Sequence, residues 1–148
     1  MTKLRKLLRL ASGDRRLLLE AALRLLLTDL ALRAFGFARV QRWLSASAVQ
    51  PGSPGDPSDE ALPPMVERIA SSVAAAGRHH LYPMRCLTRS LVLQGMLARR
   101  GVPSDLRIGV RKDRGRFEAH AWVEHRGRPV AEREDVECRF ASLGLPAR

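Results

Sequence analysis

Residues 84–101 read MRCLTRSLVLQGMLARRG. Pro83 lies directly before this stretch, and Gly101 with Pro103 forms a typical helix stop. Between these limits, leucines recur at a spacing that gives a helix one apolar stripe. They are Leu87, Leu91, Leu93 and Leu97. The stretch therefore predicts a helix with Cys86 in its first turn.

A cysteine at the start of a helix is a candidate nucleophile. The unpaired backbone N–H groups of the first turn and the positive end of the helix dipole favour the thiolate form. Arg85 and Arg89 add positive charge on either side of Cys86. Because a single cysteine at such a position is more often a small buried residue, the assignment depends on finding a base elsewhere in the chain.

The composition is that of one globular domain with a basic N-terminal part. The chain has 148 residues, of which 45% are hydrophobic and 28% charged. Residues 1–44 contribute +7 to the net charge of +11, from ten Lys and Arg against three acids. Two cysteines indicate no disulfide framework, which favours a cytoplasmic protein. Charged residues interrupt the N-terminal leucines, so we expect no transmembrane segment.

Three parts are predicted along the chain. Residues 1–44 form a basic helical block with a broad apolar face, residues 45–62 a linker rich in Pro, Gly and Ser, and residues 63–148 a catalytic core. The block is predicted to cover the rest of the fold with its arginines in solvent, or to dock to an acidic partner or membrane headgroups. A helix that ends at Gly77 precedes the Cys86 helix.

After Gly101 the apolar period changes from 3.6 residues to 2. Apolar and other residues alternate over residues 106–111 and 117–124, and a third segment covers residues 129–133. Charged turns separate the segments. Helices followed by an antiparallel meander predict an α+β fold.

Two residues of this meander have structural predictions of their own. Gly109, in the middle of the first strand, indicates a bulge or a close approach of peptide backbone. Trp122 shares a strand face with His120, and it is expected either to pack in the interior or to line a substrate cleft. Cys138, near the C-terminus, is assigned no chemistry.

The second hairpin supplies the candidate base. If its turn is centred on residues 126–127, residues whose numbers sum to about 252 face each other. His120 and Glu132 are then cross-strand neighbours. A carboxylate that holds an imidazole in one tautomer and orientation provides the base that a nucleophile requires. A register shift of one residue would instead place Arg133 or Ala131 opposite the histidine.

Four motifs resemble those of one enzyme family. They are CLTRSL at residues 86–91, LARRGVP at 97–103, LRIGVR at 106–111 and AHAWVE at 119–124. Together they resemble the transglutaminase-like leader peptidases of lasso-peptide biosynthesis, and the resemblance extends from about Val66 to Leu143. The N-terminal block, rich in leucine and arginine, is similar to the opening of the stand-alone form of that family, which is split from its leader-recognition domain.

The resemblance implies a cysteine protease that cuts the leader from a ribosomally made precursor peptide, so that a cyclase can close the macrolactam ring. It implies a papain-like core with Cys86 as nucleophile and His120 as general base. The family usually has an aspartate where Glu132 stands; the longer glutamate can still reach the imidazole, and Asp135 is the reserve candidate. The implied partners are the precursor, a separate leader-recognition protein and the lasso cyclase, without a cofactor.

Three alternative functions stay open at this point. A transglutaminase or other acyltransferase would use the same residues with an amine in place of water. A nucleic-acid-binding module fits the net charge, but the sequence has no helix-turn-helix signature, aromatic platform or glycine-rich phosphate loop. A metal site is not favoured, because its candidate ligands lack paired spacing. Those ligands are His79, His80, Cys86, His120 and Cys138.

Overall fold

The computed structural model describes residues 12–45, 62–78, 85–113, 115–132 and 135–143. Residues 1–11 and nearly all of the predicted linker lie outside these ranges. No helix in the described ranges is both long enough and apolar enough to cross a bilayer. The elements, in chain order, are α1 (Ser12–Phe35), α2 (Phe37–Ser45), α3 (Pro64–Arg78), α4 (Cys86–Ala98), β1 (Asp105–Asp113), β2 (Arg116–His125), β3 (Arg128–Val130), α5 (Val136–Arg139) and β4 (Ala141–Leu143).

Helix α4 has the start and the stop that the sequence predicts. Arg85 is extended, with φ −65° and ψ 148°, and the helix begins at Cys86. Gly101 follows its end with φ 71°, a left-handed conformation that glycine adopts without steric cost. The N–H of Val102 donates to the carbonyl of Leu97 at 3.1 Å, which closes the C-terminal turn. The predicted helix with Cys86 in its first turn is therefore confirmed.

The four strands form one antiparallel sheet in the order β3-β2-β1-β4. β1 and β2 pair over their full length, from Asp105 opposite Glu124 to Asp113 opposite Arg116. β4 adds a fourth strand at the free edge of β1, a strand that the alternation pattern did not predict. The predicted α+β class with an antiparallel meander is confirmed.

One hydrophobic core joins three helices to the sheet. Its buried residues come from α1, α3, α4, β2 and β3, and each fully buried Val, Leu, Ile or Met side chain contributes about 1.5–3 kcal/mol. Ala21 and Leu25 of α1 belong to this cluster, so α1 packs on the same core as the cysteine helix. The cluster contains Ala21, Leu25, Val66, Ile69, Ala70, Val73, Ala76, Val92, Leu93, Met96, Leu97, Val123 and Val130.

A second cluster covers the other face of the sheet. Trp122, Val136 and Phe140 form it, so α5 and the residue after it close over β2. As a consequence, residues 121–125 are buried on both faces, although strand alternation predicted one buried face. The region around His120 is thus held from two sides.

An ion-pair network links α1 to the C-terminal end of α4. Arg100 donates to Glu20 Oε2 at 2.7 Å and to the carbonyl of Met96 at 2.9 Å, while Arg24 donates to Glu20 Oε1 at 2.9 Å. The hydrogen bond from Arg100 is the main cause that lowers the pKa of Glu20 below its usual value, although partial burial acts in the opposite direction. Since the pairs are partly exposed, each is expected to contribute below about 1 kcal/mol.

Candidate active site

Cys86 is the first residue of α4 and is partly buried. The N–H of Arg89 donates to the carbonyl of Arg85 at 3.2 Å, which sets the first turn around the cysteine. Backbone N–H groups in the first turn of a helix have no carbonyl partner within the helix. The thiol therefore lies at a helix end that favours negative charge.

His120 lies on β2 with its ring packed against two aromatic rings. The Trp122 ring stacks on it with centroids 6.2 Å apart and an interplanar angle of 17°, and the Phe140 centroid lies 5.2 Å away. The residue opposite His120 on β1 is Gly109. A Cβ atom at Gly109 would lie 2.8 Å from Phe140 Cβ and 3.0 Å from the Trp122 ring. Neither of the two predictions for Gly109 is observed, because the β1–β2 register continues without a bulge and the closely approaching atoms belong to side chains, not to peptide backbone.

The third predicted residue contacts this imidazole. Glu132 Oε1 lies 3.2 Å from His120 Nε2, and the two side chains are 27% and 24% exposed. With Nε2 facing the carboxylate, the proton of a neutral imidazole is expected on Nε2, which leaves Nδ1 as the basic nitrogen. The arrangement can thus orient the ring and stabilise it when it becomes charged.

The strand register that predicted this contact is wrong by one residue. The observed ladder pairs Val123 with Val130, so the numbers of facing residues sum to 253 and not to 252. The predicted turn at residues 126–127 is correct, and a turn centred there gives a sum of 253, so the predicted sum of about 252 was one too low. If β3 continued in the same register, position 133 would face His120, as in the shifted arrangement that the sequence left open.

The contact forms because β3 stops early. The strand ends at Val130, and Ala131 has φ 61°, a left-handed conformation that costs a residue with a Cβ atom about 1–2 kcal/mol. This break releases Glu132 from the ladder register and lets its carboxylate reach His120. Backbone strain of this kind is concentrated at functional sites.

Cys86 and Glu132 line the same cleft. The helix start therefore lies on one side of the cleft and the segment after β3 on another. Trp122 also lines it, although only 1% of this residue is exposed. Its predicted packing in the interior is confirmed, and its contact with substrate stays a prediction. The remaining lining residues are Ala70, Val73, Ala74, Arg89, Ser90, Leu93 and Ala131.

A buried hydrogen bond joins the two elements that carry Cys86 and His120. Ser90 Oγ donates to the carbonyl of Ala121 at 2.8 Å. Ser90 lies one turn after Cys86, and Ala121 follows His120, so this bond sets the position of α4 on β2 beside both candidates. Ser90 was not predicted from the sequence, although it is a serine on an otherwise apolar helix face, four residues after the cysteine.

Glu124 also supports the site and was not predicted from the sequence. Its carboxylate is buried and accepts hydrogen bonds from Trp122 Nε1 at 2.7 Å and from Arg107 Nε at 2.8 Å. A buried carboxylate requires such partners. Glu124 therefore holds the orientation of the indole that stacks on His120.

Of the remaining candidates, Cys138 and the reserve acid Asp135 are not among the described residues that line the cleft. His79 and His80 lie outside the described residues. In the parts of the chain that the structure covers, no group of three or more His, Cys, Asp or Glu residues could hold a metal ion. Cys138 is exposed on α5, and Asp135 lies directly before that helix.

The comparisons with known proteins agree with the fold. A sequence model described as the transglutaminase-like superfamily matches residues 24–144, which include Cys86, His120 and Glu132. Searches of curated proteins and of solved structures gave no match. Proteins of this superfamily generally have cysteine protease or acyltransferase activity. Because the match covers most of its length, the chain belongs to the transglutaminase-like superfamily.

Proposed function

We propose that this protein is a cysteine protease that removes the leader peptide from a lasso-peptide precursor. Cys86 is the nucleophile, His120 the general base and Glu132 the residue that orients the base. The observation that carries the proposal is the 3.2 Å contact between His120 and Glu132, whose carboxylate shares a cleft with Cys86. The choice of a leader peptide as substrate is supported by the sequence motifs at residues 86–91 and 119–124.

The proposed reaction proceeds through an acyl-enzyme. His120 Nδ1 takes the thiol proton, and Cys86 Sγ attacks the carbonyl carbon of the scissile bond. Backbone N–H groups at the start of α4 stabilise the oxyanion. The imidazolium then protonates the leaving amine of the core peptide, which leaves the leader as a thioester on Cys86. Water, deprotonated by His120, attacks this thioester and releases the leader as a free acid.

Acyl transfer to an amine is the second candidate function, since the superfamily includes it. It would use the same thioester and differ only in the final nucleophile. The side chains of His120 and Glu132 are each about a quarter exposed, so water can reach the base. This openness favours hydrolysis.

The test is mass spectrometry of a precursor peptide incubated with the protein in ¹⁸O-labelled water containing methylamine. Hydrolysis predicts a leader fragment whose new carboxylate has gained one heavy oxygen atom. Acyl transfer predicts a leader methylamide without the label. A precursor that stays intact, with or without a leader-recognition protein, would contradict both functions.

We further propose that the protein acts in the cytoplasm with a separate leader-recognition protein, and that a lasso cyclase uses the freed core peptide. A partner that binds the leader raises its effective concentration at the cleft. The rate at low precursor concentration is therefore expected to rise when the recognition protein is added. An unchanged rate at every precursor concentration would contradict this role.

Replacing each of the two candidate acids, Glu132 and Asp135, by its amide tests which of them orients the base. Glu132→Gln is expected to lower kcat by roughly 10²-fold or more, because a neutral amide neither selects the tautomer nor stabilises the imidazolium. Asp135→Asn is the matched control, and its kcat is expected to change less than about twofold. Steady-state cleavage of the precursor measures both. A larger loss in Asp135→Asn than in Glu132→Gln would move the role to Asp135.

A further inference from the structure

Helix α1 has a second apolar face that does not pack on the core. Its leucines are between 45% and 70% exposed, and at 100° per residue they lie within an arc of about 100°. We call this face the leucine seam. Contiguous exposed apolar patches of this kind mark interaction sites. The leucine seam consists of Leu19, Leu23, Leu26, Leu27 and Leu30.

The spacing of the seam indicates what kind of surface it fits. Leu19, Leu23, Leu26 and Leu30 are separated by four, three and four residues, which is the 3.5-residue repeat that packs one helix against another. From residue 19 to residue 30 the seam is about 16 Å long at 1.5 Å per residue. This length matches about three turns of a partner helix.

The positive charge around the seam indicates that the partner carries negative charge. Arg15 and Arg16 are exposed near its N-terminal end, and the chain as a whole carries +11. A second copy of the chain would bring the same arginines to the contact, so like charges oppose self-association. The three acids of α1 are all engaged: Asp14 pairs with Arg68, Glu20 with Arg24 and Arg100, and Asp29 with Arg33.

We propose that the leucine seam is the docking surface for an amphipathic helix with acidic flanks on a partner protein. The identity of this partner as the leader-recognition protein rests on the proposed function. Its position relative to the cleft follows from the Glu20 to Arg100 pair, which places that part of α1 beside the C-terminal end of α4. Cys86 lies at the opposite end of α4, about 20 Å away for 13 residues. The N-terminal end of the seam therefore lies about the length of α4 away from Cys86.

The experiment compares a seam variant with a matched control. Leu23→Glu combined with Leu30→Glu is expected to weaken binding of the purified leader-recognition protein at least about 100-fold, because it places charge in the apolar contact. Phe117→Glu is the control, since Phe117 is 79% exposed on β2, away from α1. The affinity of the Phe117→Glu variant for the leader-recognition protein is expected to equal that of wild type. Isothermal titration calorimetry measures both, and circular dichroism melting checks that each variant folds.

A second readout separates the docking proposal from the proposed function. The seam variant is expected to cleave precursor without the recognition protein at the wild-type rate, but to lose the acceleration that this protein causes. If no variant cleaves precursor under any condition, the proposed function fails, while the calorimetric comparison still decides the docking surface. Equal affinity of the seam variant and wild type would overturn the docking proposal, as would absence of binding by wild type.

Charge reversal and two further probes complete the test. Arg15→Glu combined with Arg16→Glu is expected to weaken the same binding, with a smaller effect at high salt. Vesicles of phosphatidylglycerol and sedimentation of the protein alone probe the other occupants. A seam variant that loses vesicle binding or self-association but keeps its affinity for the recognition protein would overturn the proposal.

Discussion

Cys86→Ala is expected to lower the rate of precursor cleavage by at least about 10³-fold, because no other group at the cleft can form the thioester. The variant is expected to fold, since Cys86 is only partly buried and alanine is a good helix former. Binding of the leader-recognition protein is expected to stay at the wild-type level. Single-turnover mass spectrometry of the precursor measures the rate, and calorimetry measures the binding.

The chain contains its own control for this variant. Cys138 is exposed on α5, so Cys138→Ala removes the other thiol without touching the cleft residues. Cleavage by Cys138→Ala at the wild-type rate is expected. Cleavage that persists in Cys86→Ala and disappears in Cys138→Ala would reverse the assignment, and cleavage that persists in both would exclude a cysteine mechanism.

His120→Ala is expected to lower kcat by about 10²–10⁴-fold, the range for loss of a general base. The imidazole ring packs against Trp122 and Phe140 and is 24% exposed, so its removal leaves a ring-shaped space that is open to solvent. Free imidazole is therefore expected to restore part of the activity in proportion to its concentration. Steady-state cleavage in an imidazole titration measures this rescue.

His125→Ala is the control for a merely structural loss. His125 is 5% exposed, and its Nδ1 lies 2.6 Å from the carbonyl of Pro103. Its replacement is expected to lower the melting temperature, while kcat below that temperature stays near the wild-type value and does not respond to imidazole. A wild-type kcat in His120→Ala, or an equal rescue in both variants, would contradict the role of His120 as base.

Much of the scaffold is determined by local sequence. Helix α4 could be placed because proline and glycine limit it on both sides, and its leucines repeat with the helical period. The first two strands could be placed because apolar residues alternate over segments long enough to show a period of two. Cys86 and His120 were proposed from such local context, and the structure places one at a helix start and the other on a strand, as predicted.

Contacts between segments that are distant in the chain could not be predicted from local sequence patterns. β4 is only three residues long and exposed, so it shows no alternation, and its pairing with β1 defines it. Ser90 and Ala121 are 31 residues apart in the chain, and their hydrogen bond depends on how α4 packs on β2. The burial of Glu124 depends in the same way on Trp122 and Arg107.

The contact between Glu132 and His120 depends partly on the local sequence and partly on the tertiary structure. The sequence by itself determined that an acid follows the histidine strand closely enough to reach it, and that the helix start presents a cysteine. Only the tertiary structure decided which register the hairpin takes and that Ala131 ends the ladder. The reason is physical: periodicity reports one element's own geometry, whereas a strand's end and a buried carboxylate's partners depend on the free energy of packing the whole chain.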